Sequence, residues 1–376
     1  MSPASDAITA ITLSSVTLPL AVPISDAKVF TGRQRPMTEV VLLFAEITTA
    51  QGFEGIGFSY SKRAGGPAQY AHAKEVAGLA LGEDPSDIAK LNTKLLWAGA
   101  SVGRSGLAPQ ALAAIDVALY DLKARRAGLP LAKLLGSHRD GVRTYNTSGG
   151  FLNADIGAVT EAAERSLAAG IGGIKIKVGL PDGREDIRRA SAVREHIGDA
   201  PLMVDANQQW DRATALRMGR TLSELDLVWI EEPLDAYDHA GHARLTSALD
   251  TPIATGEMLA SVAEHTELIR HRACDIIQPD APRIGGITAF LRLMALADDA
   301  GLDLAPHFAM EIHLHLAACY PRETWVEHFD WLDPLFEERL ETRDGRMIVP
   351  DRPGLGITLS EQARAWTTDT VTIGAR

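Results

Sequence analysis

The feature that most constrains this chain is a regular alternation of short apolar segments and longer helical stretches, which begins near residue 142. Helical stretches of roughly 10–16 residues separate most of these segments, a pattern typical of parallel strand–helix–strand units. Eight such units predict an α/β fold with a (β/α) barrel of the TIM type, and an open doubly wound sheet is the alternative. The predicted strands are 142–147, 173–178, 201–206, 227–231, 252–256, 275–279, 302–306 and 324–328.

The residues before this repeat mix strand and helix patterns and predict a smaller α+β capping domain. Residues 8–18 alternate like a strand, and the runs 40–49 and 53–60 predict a hairpin. The clearest helix covers 109–127 and is followed by Gly128. The end of the chain carries turns and short strand-like runs, which we expect to pack back onto the cap. The predicted parts are 1–138 for the cap, 139–340 for the barrel and 341–376 for the segment that returns to the cap.

The charge and the cysteines limit the partners and the compartment. With 37 basic and 49 acidic side chains, the formal net charge is −12, which disfavours nucleic acid and anionic membranes as partners. Cys274 and Cys319 have neither disulfide nor zinc-site spacing and predict reduced thiols. The N-terminal residues lack a secretory pattern, and no apolar run approaches the roughly 20 residues that span a bilayer. We therefore expect a cytoplasmic protein.

Acidic side chains stand where several predicted barrel strands end, which is the rim on which barrels carry their chemistry. Asp205, Glu231 and Glu257 follow one another at equal intervals of 26 residues, so we expect them on neighbouring strands at one level. Three converging carboxylates repel one another unless a cation joins them, and an all-oxygen set with open positions suits Mg²⁺. The spacing does not choose between Glu231 and Glu232. Helix caps and ion-paired acids are the alternatives for each residue taken singly.

Basic side chains lie on the strands around these acids. Lys175 and Lys177 share the face of their strand opposite to its isoleucines, which places both ammonium groups inside the barrel mouth. Asp280 and His307 are one unit apart, so the carboxylate can accept the imidazole N–H and make the ring more basic. Surface lysines and a structural histidine are the alternatives.

Together these segments resemble a known family. The stretches GIKIKVG, VDANQQW, WIEEPLD, ATGEM, QPDAPRIGG, APHF and WVEHF resemble the mandelate racemase group of the enolase superfamily. The stretches SDAKVFTGRQRP, GFSYSKRAGG, LLWAGASVGRSG, YNTSGGF, PHFAMEIHLHL and LETRDGRM are similar to those of its aldarate dehydratases. The resemblance covers the barrel, agrees with the cap, and implies Mg²⁺ as the cofactor.

The resemblance also implies a role for each site residue. Lys175 would lie beside the substrate carboxylate and make Lys177 less basic through repulsion between like charges. The other implied residues are the Mg²⁺ ligands Asp205, Glu231 and Glu257, the acid/base groups Lys177 and His307 on opposite faces of the substrate, Asp280 as the partner of His307, and Asn207 and Glu327 as hydrogen-bonding residues for substrate or intermediate oxygens.

The implied reaction is dehydration of a six-carbon diacid, galactarate or L-talarate, to a 2-keto-3-deoxy acid. It would begin with removal of the proton α to a carboxylate, with Mg²⁺ and lysine stabilising the charge that forms. A racemase or epimerase of a 2-hydroxy acid on the same fold is the alternative, because it shares this first step. A non-catalytic acid-sugar binding protein should lack part of the acid/base set, which is complete here. The family also implies a symmetric homo-oligomer.

A six-carbon diacid carries a second carboxylate away from the metal, and a cation must bind it. The loops of the cap offer several basic residues, of which we expect Lys28, Lys62 and Arg63 to do so. Solvated surface cations are the alternative.

Two further motifs match other functions poorly. Ser101 stands in a G-x-S-x-G pattern, but the residues before it predict a helix where a nucleophile elbow needs a strand. His313 and His315 are two residues apart on a predicted helix and do not share a face, which disfavours a metal pair.

Overall fold

The computed structural model describes residues 6–374, and its strands belong to two sheets. The strands are β1 (Ile8–Ile24), β2 (Met37–Thr49), β3 (Glu54–Lys62), β4 (Gly141–Asn146), β5 (Gly173–Lys177), β6 (Leu202–Asp205), β7 (Trp229–Glu231), β8 (Ile253–Thr255), β9 (Ile276–Ile277), β10 (Asp303–Leu304), β11 (Trp325–His328), β12 (Thr342–Arg343), β13 (Arg346–Ile348) and β14 (Thr367–Gly374). The helices are α1 (Ala27–Phe30), α2 (Gly66–Ala77), α3 (Ile88–Ala98), α4 (Leu107–Ala127), α5 (Leu131–Leu135), α6 (Ile156–Ala168), α7 (Gly183–Ile197), α8 (Arg212–Leu222), α9 (His239–Ala248), α10 (Val262–Arg270), α11 (Ala281–Ile284), α12 (Ile287–Asp299), α13 (Met310–Ala318) and α14 (Glu361–Ala365).

The cap is built on the antiparallel sheet, whose order is β14–β1–β2–β3. Apolar residues of β1 and β2 form one hydrophobic cluster with α2, α3 and α4. Helix α4 lies directly against β3, where a Cβ on Gly57 would come within 2.3 Å of the carbonyl oxygen of Ala114. Only glycine permits that approach. The pairing of β2 with β3 confirms the predicted hairpin, and α4 confirms the predicted helix.

The eight barrel strands run parallel in the order β11–β4–β5–β6–β7–β8–β9–β10. From β4 to β10 each strand pairs with the next one along the chain, and β11, the last barrel strand, pairs with β4, the first. This order lacks the reversal that defines a doubly wound sheet, so the barrel prediction is confirmed and the open sheet was wrong. Each of the eight barrel strands lies within its predicted segment or extends one residue beyond it.

A side chain joins the last two barrel strands. Among residues 6–374, β10 and β11 share no backbone ladder. The hydroxyl of Thr324, directly before β11, instead donates a hydrogen bond to the carbonyl oxygen of Leu304 in β10. Side-chain hydrogen bonds such as this one therefore connect the two strands where the barrel ring closes.

The tail divides between the two sheets, whereas the sequence predicted that all of it returns to the cap. Strands β12 and β13 form a hairpin that extends the barrel sheet, because β13 pairs antiparallel with β4. Strand β14 joins the cap sheet, where Ile373 lies opposite Ile11 of β1. The final β-strand therefore ties the end of the described chain to its start.

Aromatic packing joins the cap to the barrel. The rings of Phe44 and Phe58 in the cap lie 6.2 and 5.8 Å from that of Phe336, and Tyr60 at the end of β3 packs edge-on against Phe308, 4.8 Å away. Phe308 follows β10, so this contact places the cap over the rim at which the barrel strands end.

Two smaller expectations have an outcome in the fold. Ser101 lies in a short 3₁₀ helix directly after α3, so a helix precedes the G-x-S-x-G pattern as predicted. Over residues 6–374, no helix combines the length and the apolar character needed to cross a membrane.

Candidate active site

The register of the barrel sheet brings the predicted site residues to one level. Lys177 on β5 lies opposite Asp205 on β6, and Asp205 lies opposite Glu231 on β7. Glu257 follows β8 and completes a group of three buried acids whose ligand atoms all lie within 4.8 Å of one another. The equal spacing in the sequence thus corresponds to a true cluster of carboxylates.

The structure also separates Glu231 from its neighbour. Glu231 points into the cluster, where its Oε2 accepts hydrogen bonds from Trp229 Nε1 at 2.9 Å and Gln278 Nε2 at 2.7 Å. Glu232 points elsewhere and binds the side-chain amide of Gln208 at 2.9 Å. Adjacent residues on a strand face opposite sides, so only the first belongs to the cluster.

The three carboxylates form a set of oxygen ligands suited to a divalent cation. Burial raises the pKa of Glu231 to about 8, and the charges of Asp205 and Glu257 add to this effect although Lys175 opposes it. Burial is the main cause of this rise, and the neighbouring carboxylates add to it. A hard dication held by all three oxygens would supply the opposite charge, so the residues present fit Mg²⁺.

Lys175 lies beneath the cavity rather than beside it. Its ammonium contacts Glu231 Oε1 at 2.6 Å and Glu327 Oε1 at 2.8 Å, and the side chain is 1% exposed. Burial lowers the pKa of Lys175, but the two carboxylates raise it more, so the pKa lies well above its usual value. This geometry holds a positive charge against the carboxylate cluster, and the expected place of Lys175 beside the substrate carboxylate stays a prediction.

Lys177 does line the cavity and donates a hydrogen bond to Asp205 Oδ2. Burial lowers the pKa of Lys177. The positive charge of Lys175 lowers it further, which is the effect that the resemblance implies for Lys175. The adjacent Asp205 and the other carboxylates raise it more, so the pKa of Lys177 ends above its usual value rather than below it. A cation shared by these carboxylates would weaken that effect.

His307 reaches the cavity from the other side of the acids. Its Nδ1 contacts Asp280 Oδ2 at 2.8 Å, and its Nε2 lies 3.3 Å from Glu257 Oε2 and 3.3 Å from Lys62 Nζ. A carboxylate only accepts hydrogen bonds, so Nδ1 donates to Asp280, while Nε2 faces the cavity between the carboxylate of Glu257 and the ammonium of Lys62. The strand order places β5, with Lys177, and β10, before His307, on opposite sides of the β6–β7–β8 triad.

Asn207 and Glu327 both line the cavity. Asn207 donates from Nδ2 to Asp205 Oδ2 at 3.0 Å, and its buried Oδ1 has no partner among the described residues. Its φ of 45° lies in the left-handed region, which asparagine adopts more readily than most residues other than glycine. Glu327 accepts from Thr147 Oγ1 at 2.6 Å and Phe308 N at 2.9 Å.

The cap closes a cavity of about 250 Å³ over these groups, and Lys28, Lys62 and Arg63 line it. Arg63 is already engaged, because it contacts Asp26 at 3.1 Å and donates to a backbone carbonyl at 2.9 Å. The ion pairs within residues 6–374 give neither Lys28 nor Lys62 a carboxylate partner. Burial lowers the pKa of Lys62 to about 8. These two lysines are therefore better placed than Arg63 to bind an anion.

Tyr60 is a site residue that the sequence did not reveal. From the end of β3 its hydroxyl donates to Asp280 Oδ2 and lies 3.3 Å from His307 Nδ1. Its place two residues before Lys62 in the GFSYSK stretch was the only available signal. The cap therefore contributes a member to the hydrogen-bond network of a barrel histidine.

Two family models match the chain, one for each of its main parts. Residues 9–136 match the mandelate racemase / muconate lactonizing enzyme N-terminal domain, and residues 158–363 match the enolase C-terminal domain-like family. The chain belongs to the enolase superfamily. The resemblance drawn from the strand-end motifs is confirmed by these matches.

Individual members of the enolase superfamily are similar over almost the whole chain. An L-talarate/galactarate dehydratase of Salmonella typhimurium is 65% identical over 372 residues, which cover 99% of this chain and 94% of the relative. A crystal structure of that Salmonella enzyme with Mg and L-lyxarohydroxamate has a TM-score of 0.98 at 64% identity, covering 99% of this chain and 96% of the other. A crystal structure of L-talarate dehydratase from Polaromonas sp. JS666 with Mg and L-glucarate has a TM-score of 0.97 at 68% identity, covering 99% and 100%.

Proposed function

We propose that this protein is a Mg²⁺-dependent hydro-lyase that dehydrates galactarate, L-talarate or both to a 2-keto-3-deoxy acid. The observation that carries the proposal is the placement of Lys177 and His307 on opposite sides of the triad Asp205–Glu231–Glu257. A substrate carboxylate held at the triad would present its α-carbon between two proton-transfer groups. The talarate dehydratases of Salmonella typhimurium and Polaromonas sp. JS666 are 64–68% identical over nearly the full chain, which supports the same reaction here.

The triad would hold the metal, and the neighbouring groups would keep its ligands in place. Asp205 is fixed by Asn207, whose backbone N–H donates to Oδ1 at 2.7 Å. Glu231 is fixed by Lys175, with Trp229 and Gln278 on its other oxygen. When bound, Mg²⁺ supplies positive charge that stabilises the negative charge developing on the substrate carboxylate.

The acid/base chemistry would fall to the two flanking side chains. One of Lys177 and His307 removes the α-proton, depending on the face from which the substrate isomer presents it. His307 can accept at Nε2, because Asp280 orients the ring through Nδ1. The group on the opposite face donates a proton to the β-hydroxyl, which leaves as water, and the resulting enol tautomerises to the keto acid. Each base would contribute on the order of 10²–10⁴ in rate.

The choice of a diacid substrate rests on the cap. Lys28 and Lys62 line the cavity from the cap, and neither has a carboxylate partner among the described ion pairs. An acid sugar with a second carboxylate would satisfy them. The substrates named for the relatives, talarate and galactarate, are diacids of this kind.

Epimerisation on the same residues is the second candidate, favoured by the presence of a proton-transfer group on each side of the triad. Returning a proton to the α-carbon from the opposite face inverts that carbon without loss of water. Both outcomes require the same first step, and the two compete for one intermediate.

The deciding experiment is a screen of the purified protein with Mg²⁺ against a panel of acid sugars, with 2-keto acid detected as its semicarbazone. We expect absorbance with galactarate or L-talarate, lost in Lys177→Ala and His307→Ala and kept in Lys90→Ala, an exposed lysine of the cap. Deuterium entering the α-carbon without keto acid would instead establish an epimerase. Neither product from any diacid would contradict the proposal.

Two wider expectations belong to this proposal. A homo-oligomer is what the family implies, and sedimentation equilibrium of the purified chain would measure it. The cytoplasmic location rests on the cysteine usage and stays a prediction, which fractionation of the producing cell would test.

A further inference from the structure

His313 is a buried histidine that the proposed reaction does not use. It lies on α13, the helix after His307, and its side chain is 0% exposed. Its Nε2 contacts the backbone N of Ala281 at 2.9 Å, and its Nδ1 contacts the carbonyl oxygen of Phe308 at 2.9 Å. A backbone N–H can only donate and a carbonyl can only accept, so the ring is a neutral imidazole protonated at Nδ1.

The two backbone partners of the His313 ring directly follow Asp280 and His307 in the sequence. Ala281 comes after Asp280, and Phe308 comes after His307. Beyond the short ladder of β9 and β10, one backbone hydrogen bond links the chains at this level, from His307 N to Pro279 O at 3.2 Å. The His313 ring is thus a second cross-link between the loops that carry Asp280 and His307.

The backbone that His313 holds is conformationally unfavourable. Phe308 has a φ of 57° and Ala309 a φ of 29°, in a region that residues other than glycine rarely adopt. Such strain persists only where the surroundings fix it. The Nδ1–H of His313 bonds the carbonyl of Phe308, and its backbone N bonds the carbonyl of Ala309 at 3.0 Å.

We propose that His313 is a positioning residue that keeps the His307 ring at hydrogen-bonding distance from Asp280, by joining Ala281 to Phe308 through its two ring nitrogens. The side chain touches neither the cavity nor the carboxylate triad, so it acts only through His307. Burial lowers the pKa of His313 even though Asp280 opposes this, which keeps the ring neutral as both bonds require. This inference rests on the proposed function for its kinetic consequence, but its geometric part does not.

The chain offers a matched control two residues further along the same helix. His315 is also 0% exposed and also uses both ring nitrogens, with Ala132 N at 3.3 Å and Leu355 O at 3.1 Å. Ala132 belongs to the cap and Leu355 to the tail, and neither is next to Asp280 or His307 in the sequence. Replacing either histidine with phenylalanine leaves two buried backbone groups unpaired, so both variants should lose comparable stability.

The kinetic test uses the Mg²⁺-loaded enzyme and the two diacid isomers. The isomer whose turnover depends more on His307 is first identified from His307→Asn and Lys177→Ala. We expect His313→Phe to lower kcat at least about tenfold on that isomer with little change in KM, because a misplacement near 1 Å costs up to about 100-fold. We expect a smaller loss on the Lys177-dependent isomer, and equal losses on both isomers for His315→Phe.

A spectroscopic test needs no substrate. The proton that His307 shares with Asp280 should give a low-field ¹H resonance, absent in His307→Asn and therefore assignable. That resonance should disappear or move in His313→Phe and persist in His315→Phe. If wild-type protein turns over no diacid, the proposed function fails while this resonance still decides the positioning role. An unchanged resonance in His313→Phe, or equal loss of both isomers' turnover, would overturn the inference. If His313→Phe does not fold, His313→Gln, which keeps one acceptor near the Nε2 position, should retain the resonance in part.

Discussion

Tyr60, on a strand of the cap, donates a hydrogen bond to the same Asp280 oxygen that contacts His307 Nδ1 at 2.8 Å in the barrel. Tyr60 and Asp280 are 220 residues apart in the sequence. The orientation of the barrel base therefore depends on a residue of the other domain.

This relationship predicts the behaviour of Tyr60→Phe. The phenylalanine keeps the ring contact with Phe308 but removes a hydrogen bond to a charged group, which is worth about 1.5–3 kcal/mol. We expect kcat with galactarate to fall about 10-fold or more. Tyr320→Phe is the control, because that hydroxyl donates to the carbonyl of Leu302 outside the site at 2.5 Å. Equal kcat values for wild type and Tyr60→Phe would show that the bond does not matter for turnover.

Removal of the metal should abolish turnover and lower the melting temperature. Asp205, Glu231 and Glu257 repel one another, and a bound cation would stabilise the folded state by about 2.7 kcal/mol at a concentration 100 times its Kd. Treatment with EDTA followed by Mg²⁺ should abolish and then restore both activity and melting temperature. In Glu257→Gln the melting temperature should respond less to Mg²⁺. Full turnover by metal-free protein would refute the assignment of these ligands.

Lys62 should select diacids over monoacids. Its ammonium lies 4.2 Å from the centre of the Phe308 ring, and no carboxylate of the described residues pairs with it. We expect Lys62→Met to lower kcat/KM for galactarate about 10- to 100-fold, the effect of one charged hydrogen bond, and to affect galactonate less. Arg63→Met should discriminate less, because Asp26 already holds that guanidinium. Lys90→Met serves as the surface control, and parallel losses on both substrates would exclude this role for Lys62.

Glu311 should make stability depend on pH. Burial raises the pKa of this carboxyl to about 8 from its usual 4.5, and its Oε2 has no hydrogen-bond partner among residues 6–374. A carboxyl whose pKa is higher in the folded state stabilises the fold fully below pH 4.5 and loses that contribution as the pH rises to about 8. Glu311→Gln, which resembles the neutral acid, should therefore gain stability relative to wild type by up to about 1.4 kcal/mol per pH unit in this window. Urea unfolding at pH 5 and pH 8 would measure it, and a difference that stays constant between the two would contradict the prediction.

Much of the fold and the cluster could be predicted because the signals are local. Short apolar segments at regular intervals define a barrel, and an acid at the end of such a segment is conspicuous in Asp205 and Glu257. The choice between Glu231 and Glu232 needed either the family motif or the sheet itself, since adjacent residues carry the same side chain. The two-residue period of a strand shows which side of the sheet each glutamate faces only when the register of the strand is known.

The remaining features depend on contacts between distant parts of the chain. Tyr60 reads as an ordinary strand residue until the cap is placed over the barrel. The sequence pattern around His313 suggests at most a metal ligand, and the two backbone partners of His313 lie in separate loops. Lys175 shares a strand face with Lys177, yet it is covered by Glu231 and Glu327 because it sits one layer deeper. The hairpin β12–β13 is too short to show which sheet it joins.

Because the cap lies over the barrel rim, the site takes its residues from two parts of the chain. The proposed proton transfer and metal binding depend on residues that the parallel strands hold, while the cations proposed to choose among substrates, Lys28 and Lys62, come from the cap. Substitutions in the cap can therefore change which acid sugar is accepted at little cost to the chemistry. Evolutionary drift in substrate preference should leave its traces in the residues around Lys28 and Lys62, with Tyr60 as the cap residue least free to vary.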